Sequence, residues 1–421
     1  MIASLGVLAF TVLAIWLAFA ILRPTPPRSV AMSTGPVGSF NVELGKRYQE
    51  FFARGGVHLK LVPSAGAVEN VSLLRDPKSG IDIAIVPGGI TSQQESPNLV
   101  SLGTLFYEPL WLFSPVDSLE KRDKNQGLRI AVGPEGSGTH KLSVEFLERA
   151  GIIDQKSATL LPFTPQESAN KLVHGEIDAA VVLDAWKSPV VQEFFAIKNL
   201  RLTSIRRADA FVALYPALNK LVLPAGVADM IENRPPTDVL LLAPKASLVV
   251  RRDLHPVIQY LLLEAATEIH SEPDVFRAEG QFPAAESNGF LLSSYARQFY
   301  KTGSPFLQRH LPLWLAVLVQ QLLVLLIPVL GFVYPLLRFS PLIYSWVRRR
   351  RVYRLYSELK SLEEGLATAR MSDRENFVEQ LDQLEDRASR LSLPMSFRPL
   401  QYALRSHIDV VRHGVRNLNH P

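Results

Sequence analysis

Between about residue 30 and residue 300, short apolar runs bounded by Gly or Pro alternate with helical patterns. Val57–Val62, Ile81–Val86, Leu128–Val132, Asp178–Leu183 and Val239–Leu242 are mostly rich in branched side chains and predict strands. Between them Phe40, Leu44, Tyr48 and Phe51 share one helical face. Leu142, Phe146 and Arg149 share another, with Val144 and Leu147 beside it. Repeated strand–turn–helix units imply a mainly parallel sheet covered by helices on both faces. A span of roughly 270 residues exceeds what one core usually serves, so two α/β lobes are expected.

Two uncharged stretches differ from this pattern. Residues 2–22 reach the roughly 20 residues that a spanning helix needs. Residues 311–337 carry Gln320, Gln321 and Pro328 but no charge, which predicts a second span kinked at the proline. Ala18-Phe19-Ala20 resembles a signal-peptidase site, so residues 1–23 read either as an uncleaved anchor or as a signal peptide. No polar stretch precedes that site, which favours the anchor. Arg348–Arg351 and Arg354 follow the second span and mark that side as cytoplasmic, so the region between the spans faces outward. Arg23 and Arg28 oppose this orientation and are outnumbered. Pro24, Pro26 and Pro27 make residues 24–29 a stiff linker.

The tail, residues 348–421, has a different periodicity. Leu355, Leu359, Leu362, Leu366 and Ala369 step by four and three, as do Leu381, Leu384, Ala388 and Leu391 after a break at Ser372–Asn376. Two amphipathic helices follow from this, either an antiparallel hairpin or a coiled coil through which two copies self-associate. The stretch after Pro394 is polar and predicts no element.

Composition narrows the function. The chain has 421 residues and a net charge of +5, too modest for a dedicated nucleic-acid binder. The absence of cysteine excludes disulfides, thiol catalysis and zinc–thiolate sites. Gly133-Pro134-Glu135-Gly136-Ser137-Gly138-Thr139 lacks the Gly-Lys-Ser/Thr ending of a P-loop. The histidines have no ligand spacing and no Gly-x-Ser-x-Gly elbow occurs. No enzyme, metal or cofactor is therefore expected.

Three turns rich in small residues precede helical segments: Ser33-Thr34-Gly35-Pro36-Val37-Gly38-Ser39, Ser64-Ala65-Gly66-Ala67-Val68-Glu69 and Gly136-Ser137-Gly138-Thr139. Unpaired N–H groups at a helix start, with hydroxyl donors and glycines beside them, suit a carboxylate or phosphate. Simple N-capping by Ser or Thr explains the same pattern. Among the strand-end aspartates Asp82, Asp178 and Asp184, only Asp184 is placed to face a cleft. Its neighbour Trp186 reads equally as a lid aromatic or a core side chain.

Taken in order, Ser33-Thr34-Gly35-Pro36, Pro63–Asn70, Ile81–Val86, Val132–Thr139 and Gly175–Ala180 resemble the TAXI family of TRAP-transporter solute-binding subunits. Gly303–Pro312, running into a span and Arg-rich helices, resembles its membrane-tethered branch. The resemblance implies a type II periplasmic-binding-protein fold, two α/β lobes joined by crossover strands at Glu108–Phe113 and near Ala208–Tyr215. Lobe 1 would comprise 30–113 and 216–300, and lobe 2 would comprise 114–215. It further implies a small organic anion as ligand, a dicarboxylate or an amino acid such as glutamate, delivered to TRAP membrane subunits. The expected location is the bacterial inner membrane, with a periplasmic binding domain and a cytoplasmic tail. Matched residue by residue, the ligand positions are Ser33, Thr34, Gly35, Ser39, Ser64, Ala65, Glu69, Ser137, Gly138 and Thr139. Asp184 and Trp186 are added from their own placement.

Two departures from the family pattern sit near the expected ligand: Ser39-Phe40-Asn41 follows Gly38, and His140 stands where an arginine is common. A second span and a tail exceed what delivery requires. They leave open a sensor that signals through the second span to the cytoplasmic helices.

Overall fold

The computed structural model describes residues 27–115, 127–149, 158–303, 349–365, 374–391 and 395–417, with single positions between 319 and 346. The two expected spans lie outside the described residues except for such single positions. Among the described residues no helix is long and apolar enough to cross a membrane. The chain forms two compact units, residues 23–321 and residues 1–22 with 322–421.

The larger unit contains two sheets built to one plan. In the first, β1 (Ser29–Ser33) lies parallel between β2 (His58–Val62) and β3 (Ile83–Pro87). Helix α1 (Phe40–Arg54) joins β1 to β2, and α2 (Ala67–Arg75) joins β2 to β3. In the second, β6 (Leu128–Ala131) lies parallel between β7 (Ala158–Leu161) and β8 (Ala179–Leu183). Here α3 (Gly138–Arg149) and α4 (Pro165–Val173) lie between the strands. An antiparallel strand closes each triplet: β11 (Val239–Arg251) beside β3, and β5 (Leu110–Pro115) beside β8. Strand β4 (Leu99–Tyr107) pairs with β11, β10 (Leu218–Leu223) with its first half, and β9 (Leu200–Leu202) with β5.

Parallel strands covered on both faces must be apolar throughout, and each face can be traced. Ala179 and Val181 of β8 enter one core with Ile130, Phe146 and Leu147. Ala180 and Val182 point the other way, to Trp111, Phe113 and Phe194. Strand β3 divides similarly, with Ile83 and Ile85 beside Met32, Tyr48 and Phe52, and Ala84 and Val86 beside Val71, Leu74 and Phe290. Local signals fix helix starts. At α4, Thr164 Oγ1 accepts from Glu167 N at 3.3 Å while Glu167 Oε2 accepts from Thr164 N at 2.8 Å, with Pro165 in the first turn.

The chain crosses between lobes twice. The first crossing is at Glu108-Pro109, between β4 in one sheet and β5 in the other. The second was expected near Ala208–Tyr215, but Ala208–Leu214 is a helix, α6. Strand β11 crosses instead. Val239, Leu241 and Leu242 sit in the cores of the second lobe, whereas Ala246, Leu248 and Val250 sit in that of the first. The remaining helices are α5 (Pro189–Ala196) in the second lobe, with α7 (Pro256–His270) and α8 (Ser294–Thr302) against the first.

In the tail, residues 349–365 and the helices Arg374–Ser389 and Arg398–Asn417 share one core. Leu355, Leu359, Leu381 and Leu384 supply the expected stripes, and Leu404, Ile408 and Val415 complete it. The hairpin is thus a three-helix arrangement whose stripes are covered within one chain, because the polar-looking end carries its own apolar face. Leu366 and Ala369 lie outside the described residues.

Candidate ligand-binding cleft

Ligands of parallel α/β sheets sit beyond the carboxyl ends of the strands. Here the loops leaving β1, β2 and β3 (residues 34–39, 63–66 and 88–90) belong to one lobe. Those leaving β6 and β8 (residues 132–137 and 184–188) belong to the other.

The first two loops are tied together by Asn70 of α2. Its Oδ1 accepts from Ser33 Oγ and from Ser64 Oγ, both at 2.5 Å, and its Nδ2 donates to the Thr34 carbonyl at 3.4 Å. Asn70, Ser33 and Thr34 are buried. Thr34 Oγ1 donates to the Val62 carbonyl at 3.4 Å, and the Gly35 carbonyl accepts from Ser64 N at 3.1 Å. Three of the expected ligand hydroxyls therefore shape the loops. Glu69 Oε2 accepts from Ala65 N at 2.5 Å, closing the turn before α2. Ser39 starts α1 but makes no side-chain cap, and its Oγ, like Asn41 Oδ1, is buried without a hydrogen-bond partner among the described residues.

The third loop reaches across to the first lobe. The Gly136 carbonyl accepts from Val68 N at 3.2 Å and Glu69 N at 3.3 Å, filling the donors at the start of α2. A Cβ on Gly66 would stand 3.0 Å from Ser137 Cα, and one on Gly138 would stand 3.2 Å from Ala67 Cβ. Lys141 Nζ donates to the Ile90 carbonyl at 2.6 Å. These contacts bring Ala65, Glu69, Ser137 and Gly138 together and hold the lobes closed. Ser137 Oγ accepts from His140 N at 3.0 Å and donates to the Pro134 carbonyl at 2.6 Å, so it caps α3. Thr139 packs against Gly133, and its hydroxyl has no hydrogen-bond partner among the described residues.

At the hinge the structure adds a residue that the sequence reading used only as the start of a strand. Leu110 of β5 stands opposite Leu183 of β8. Continuing that antiparallel register sets Pro109 opposite Asp184 and Glu108 opposite Ala185. Trp111 Nε1 donates to the Asp184 carbonyl at 2.9 Å, and Glu108 N donates to the Pro244 carbonyl at 3.0 Å, joining the two crossings. Glu108 is 4% exposed, and its carboxylate has no hydrogen-bond or ion-pair partner among the described residues. Burial first, and the Asp184 charge second, push its pKa up to about 8. Asp184 accepts from Ser188 Oγ at 2.7 Å and Ala185 N at 2.8 Å. Burial nonetheless raises its pKa to about 6, with a further push from Glu43 of α1. The sequence signal for Glu108 was a lone charge inside the apolar run from Leu99 to Pro115.

Trp186 lies in an aromatic cluster, with ring centroids 5.3 Å from Phe195, 6.0 Å from Trp111 and 6.4 Å from Phe276. A cavity of about 110 Å³ borders the hinge between Gly88, Gly89, Leu110, Leu142, Phe146 and Leu183. It is apolar and includes none of the expected ligand residues. Among the described residues no group of acids and histidines is placed to hold a metal ion.

A model of the NMT1-like family matches residues 32–274. No curated protein matches the chain. Among solved structures, it is similar to an ABC-transporter periplasmic substrate-binding protein from Coxiella burnetii. The two are 16% identical over 58% of this chain and 92% of that one, with a TM-score of 0.34. The aliphatic sulphonate binding protein SsuA from Escherichia coli is 16% identical over 57% and 73%, with a TM-score of 0.35. A TctC solute binding protein from Polaromonas is 18% identical over 61% and 92%, with a TM-score of 0.35.

Proposed function

The chain belongs to the NMT1-like family, and on that footing we propose that its larger unit is an extracytoplasmic receptor that closes its lobes around a small organic anion. It is a binding protein and not an enzyme. The observation that carries this reading is the contact of the Gly136 carbonyl with the start of α2, a polar seam where two hinged lobes meet. Such a seam can open to admit a solute and reform on closure. Following the TAXI resemblance, the solute passes to TRAP membrane subunits in a bacterial inner membrane, with the tail on the cytoplasmic side. The shared core of the tail helices supports an assembly role over signalling, since both stripes are covered without a second copy.

A thermal-shift screen of the full chain in detergent against organic acids, amino acids and phosphates tests the receptor reading, because a ligand of the folded state raises the melting temperature. A hit among the acids supports it, and silence across the panel overturns it. Protease added to spheroplasts tests the topology. Cleavage in the central unit with the tail intact is expected, and the reverse pattern inverts the orientation.

A further inference from the structure

We propose that the tail carries a binding site for the head group of an anionic phospholipid, built from Arg350, Arg351, Arg354 and Arg387. It is separate from the cleft of the larger unit and independent of the solute taken there.

The first argument is convergence. Residues 349–365 are helical, so Arg350 and Arg354 stand one turn apart, and Arg351 stands one turn before Leu355. The helix Arg374–Ser389 brings Arg387 to the same place. These four side chains, with Leu355 and Leu391, line one cavity of about 490 Å³. That lies within the roughly 300–1,000 Å³ of small-molecule sites. The sequence shows a basic run after an uncharged stretch, and the fold adds Arg387 to it from another helix.

The second argument is unbalanced charge. Among the described residues no acid lines the cavity. Arg387 pairs with Glu358 Oε2 at 2.7 Å, and the Arg350 guanidinium lies 5.2 Å from the ring centroid of Trp346. Arg351 and Arg354 have no ion pair among the described residues. Like charges around one cavity repel, and a shared anion removes the repulsion. Guanidinium forks match phosphate oxygens in pairs.

The third argument is the apolar part of the site. Leu355 and Leu391 give the cavity an apolar wall, and Trp346 is 60% exposed beside Arg350. Exposed tryptophan next to clustered arginines suits a membrane–water interface, and the uncharged stretch 311–337 precedes these residues in the chain. A free phosphate would use the arginines alone, whereas a phospholipid uses the apolar wall as well.

Native mass spectrometry of the full chain in detergent, titrated with dihexanoyl phosphatidylglycerol or dihexanoyl phosphatidylcholine, tests this. One phosphatidylglycerol is expected to bind about tenfold more tightly than the zwitterionic lipid. Arg351→Gln and Arg354→Gln should each cut that preference about fivefold. Arg387→Gln should do the same with the helix content intact by circular dichroism, and Arg354→Gln, which breaks no ion pair, keeps the test open if that variant unfolds. Arg349→Gln, next in sequence but outside the cavity lining, should leave the preference unchanged. An equal loss with Arg349→Gln means diffuse attraction and overturns the site, as does equal affinity for the two lipids. Glycerophosphoglycerol or inorganic phosphate binding as tightly as the lipid assigns the arginines to a free phosphate and overturns the lipid reading.

Discussion

Gly136 in the second lobe accepts, through its carbonyl, the N–H of Val68 in the first turn of α2 in the first lobe, at 3.2 Å. A protein carbonyl thus occupies donors that the sequence reading reserved for an anionic ligand. The Gly136 contact sets backbone against backbone. Gly138→Val adds bulk where a Cβ would already stand 3.2 Å from Ala67 Cβ, 3.5 Å from Ile90 and 3.5 Å from Pro87. The lobes are expected to remain apart, and a ligand that needs closure loses about tenfold or more in affinity. Small-angle scattering with and without ligand checks it: a compaction equal to the wild type's would remove the seam from the closure mechanism.

Asn70 is the structural centre of the first two loops. Removing it strands two hydroxyls and a carbonyl in a buried site. Asn70→Ala is expected to cost about 2–4 kcal/mol, the range for breaking a buried network. Ser33→Ala, which leaves Ser64 bonded to Asn70, should cost about 1 kcal/mol. Denaturant unfolding of the larger unit within the full chain measures both, and similar losses would show that Ser33 and not Asn70 organises the loops.

Thr139 differs from Ser33 and Ser64 because its hydroxyl is uncommitted. Thr139→Val should leave stability within about 0.5 kcal/mol of the wild type while weakening a bound anion by about 1–3 kcal/mol. Unchanged affinity for a confirmed ligand would take this turn out of the site.

Glu108 and Asp184 make the unliganded protein pH-dependent. Both hold protons more tightly folded than unfolded, with Glu108 moving from 4.5 to about 8 and Asp184 from 3.8 to about 6. Their contribution is full below the unfolded values and is lost as pH rises through about 6 and then about 8. The melting temperature of the unliganded chain should therefore fall between pH 5 and pH 8.5. Glu108→Gln should flatten the upper part of that fall, where about 3–5 kcal/mol is at stake. Parallel pH profiles for the two proteins would refute the assignment.

The sequence disclosed elements wherever burial is periodic. Strands β2, β3, β6 and β8 and the apolar faces of α1 and α3 stand out because their neighbours are turns of Gly and Pro. Strand β11 was cut short at Leu242 because Ala243-Pro244-Lys245 reads as a break. Pro244 sits where the strand leaves β10 for β3 and β4, so its missing N–H removes no ladder bond between those partners, and its carbonyl receives Glu108 N. The loops of the cleft were legible as loops. Which hydroxyls are spent on Asn70 depends on contacts 37 and 6 residues apart, which local pattern does not carry. Glu108 depends on the register of β5 against β8, which one strand's sequence cannot disclose. The last tail helix could have been found, since Leu404, Ile408, Val411 and Val415 step by four, three and four.

That last helix also decides what a truncation of the tail should do. Helix Arg398–Asn417 buries Leu404, Ile408 and Val415 against the stripes of the two preceding segments. Its Arg412 bonds Asp382 at 2.5 Å and Glu385 at 2.7 Å, with a side chain only 19% exposed. Removing residues 398–421 would uncover Leu381, Leu384 and Leu355 together, and exposed leucines at heptad spacing invite another helix. The truncated chain is expected to self-associate through its tail, while solute affinity of the larger unit stays within about twofold of the wild type. Ile408→Ala should destabilise the tail by about 2–4 kcal/mol without exposing the whole stripe. Crosslinking and light scattering in detergent distinguish the cases. A wild-type chain that already pairs through Leu355 and Leu381, or a truncation that remains monomeric, would show that the last helix is not what covers the stripes.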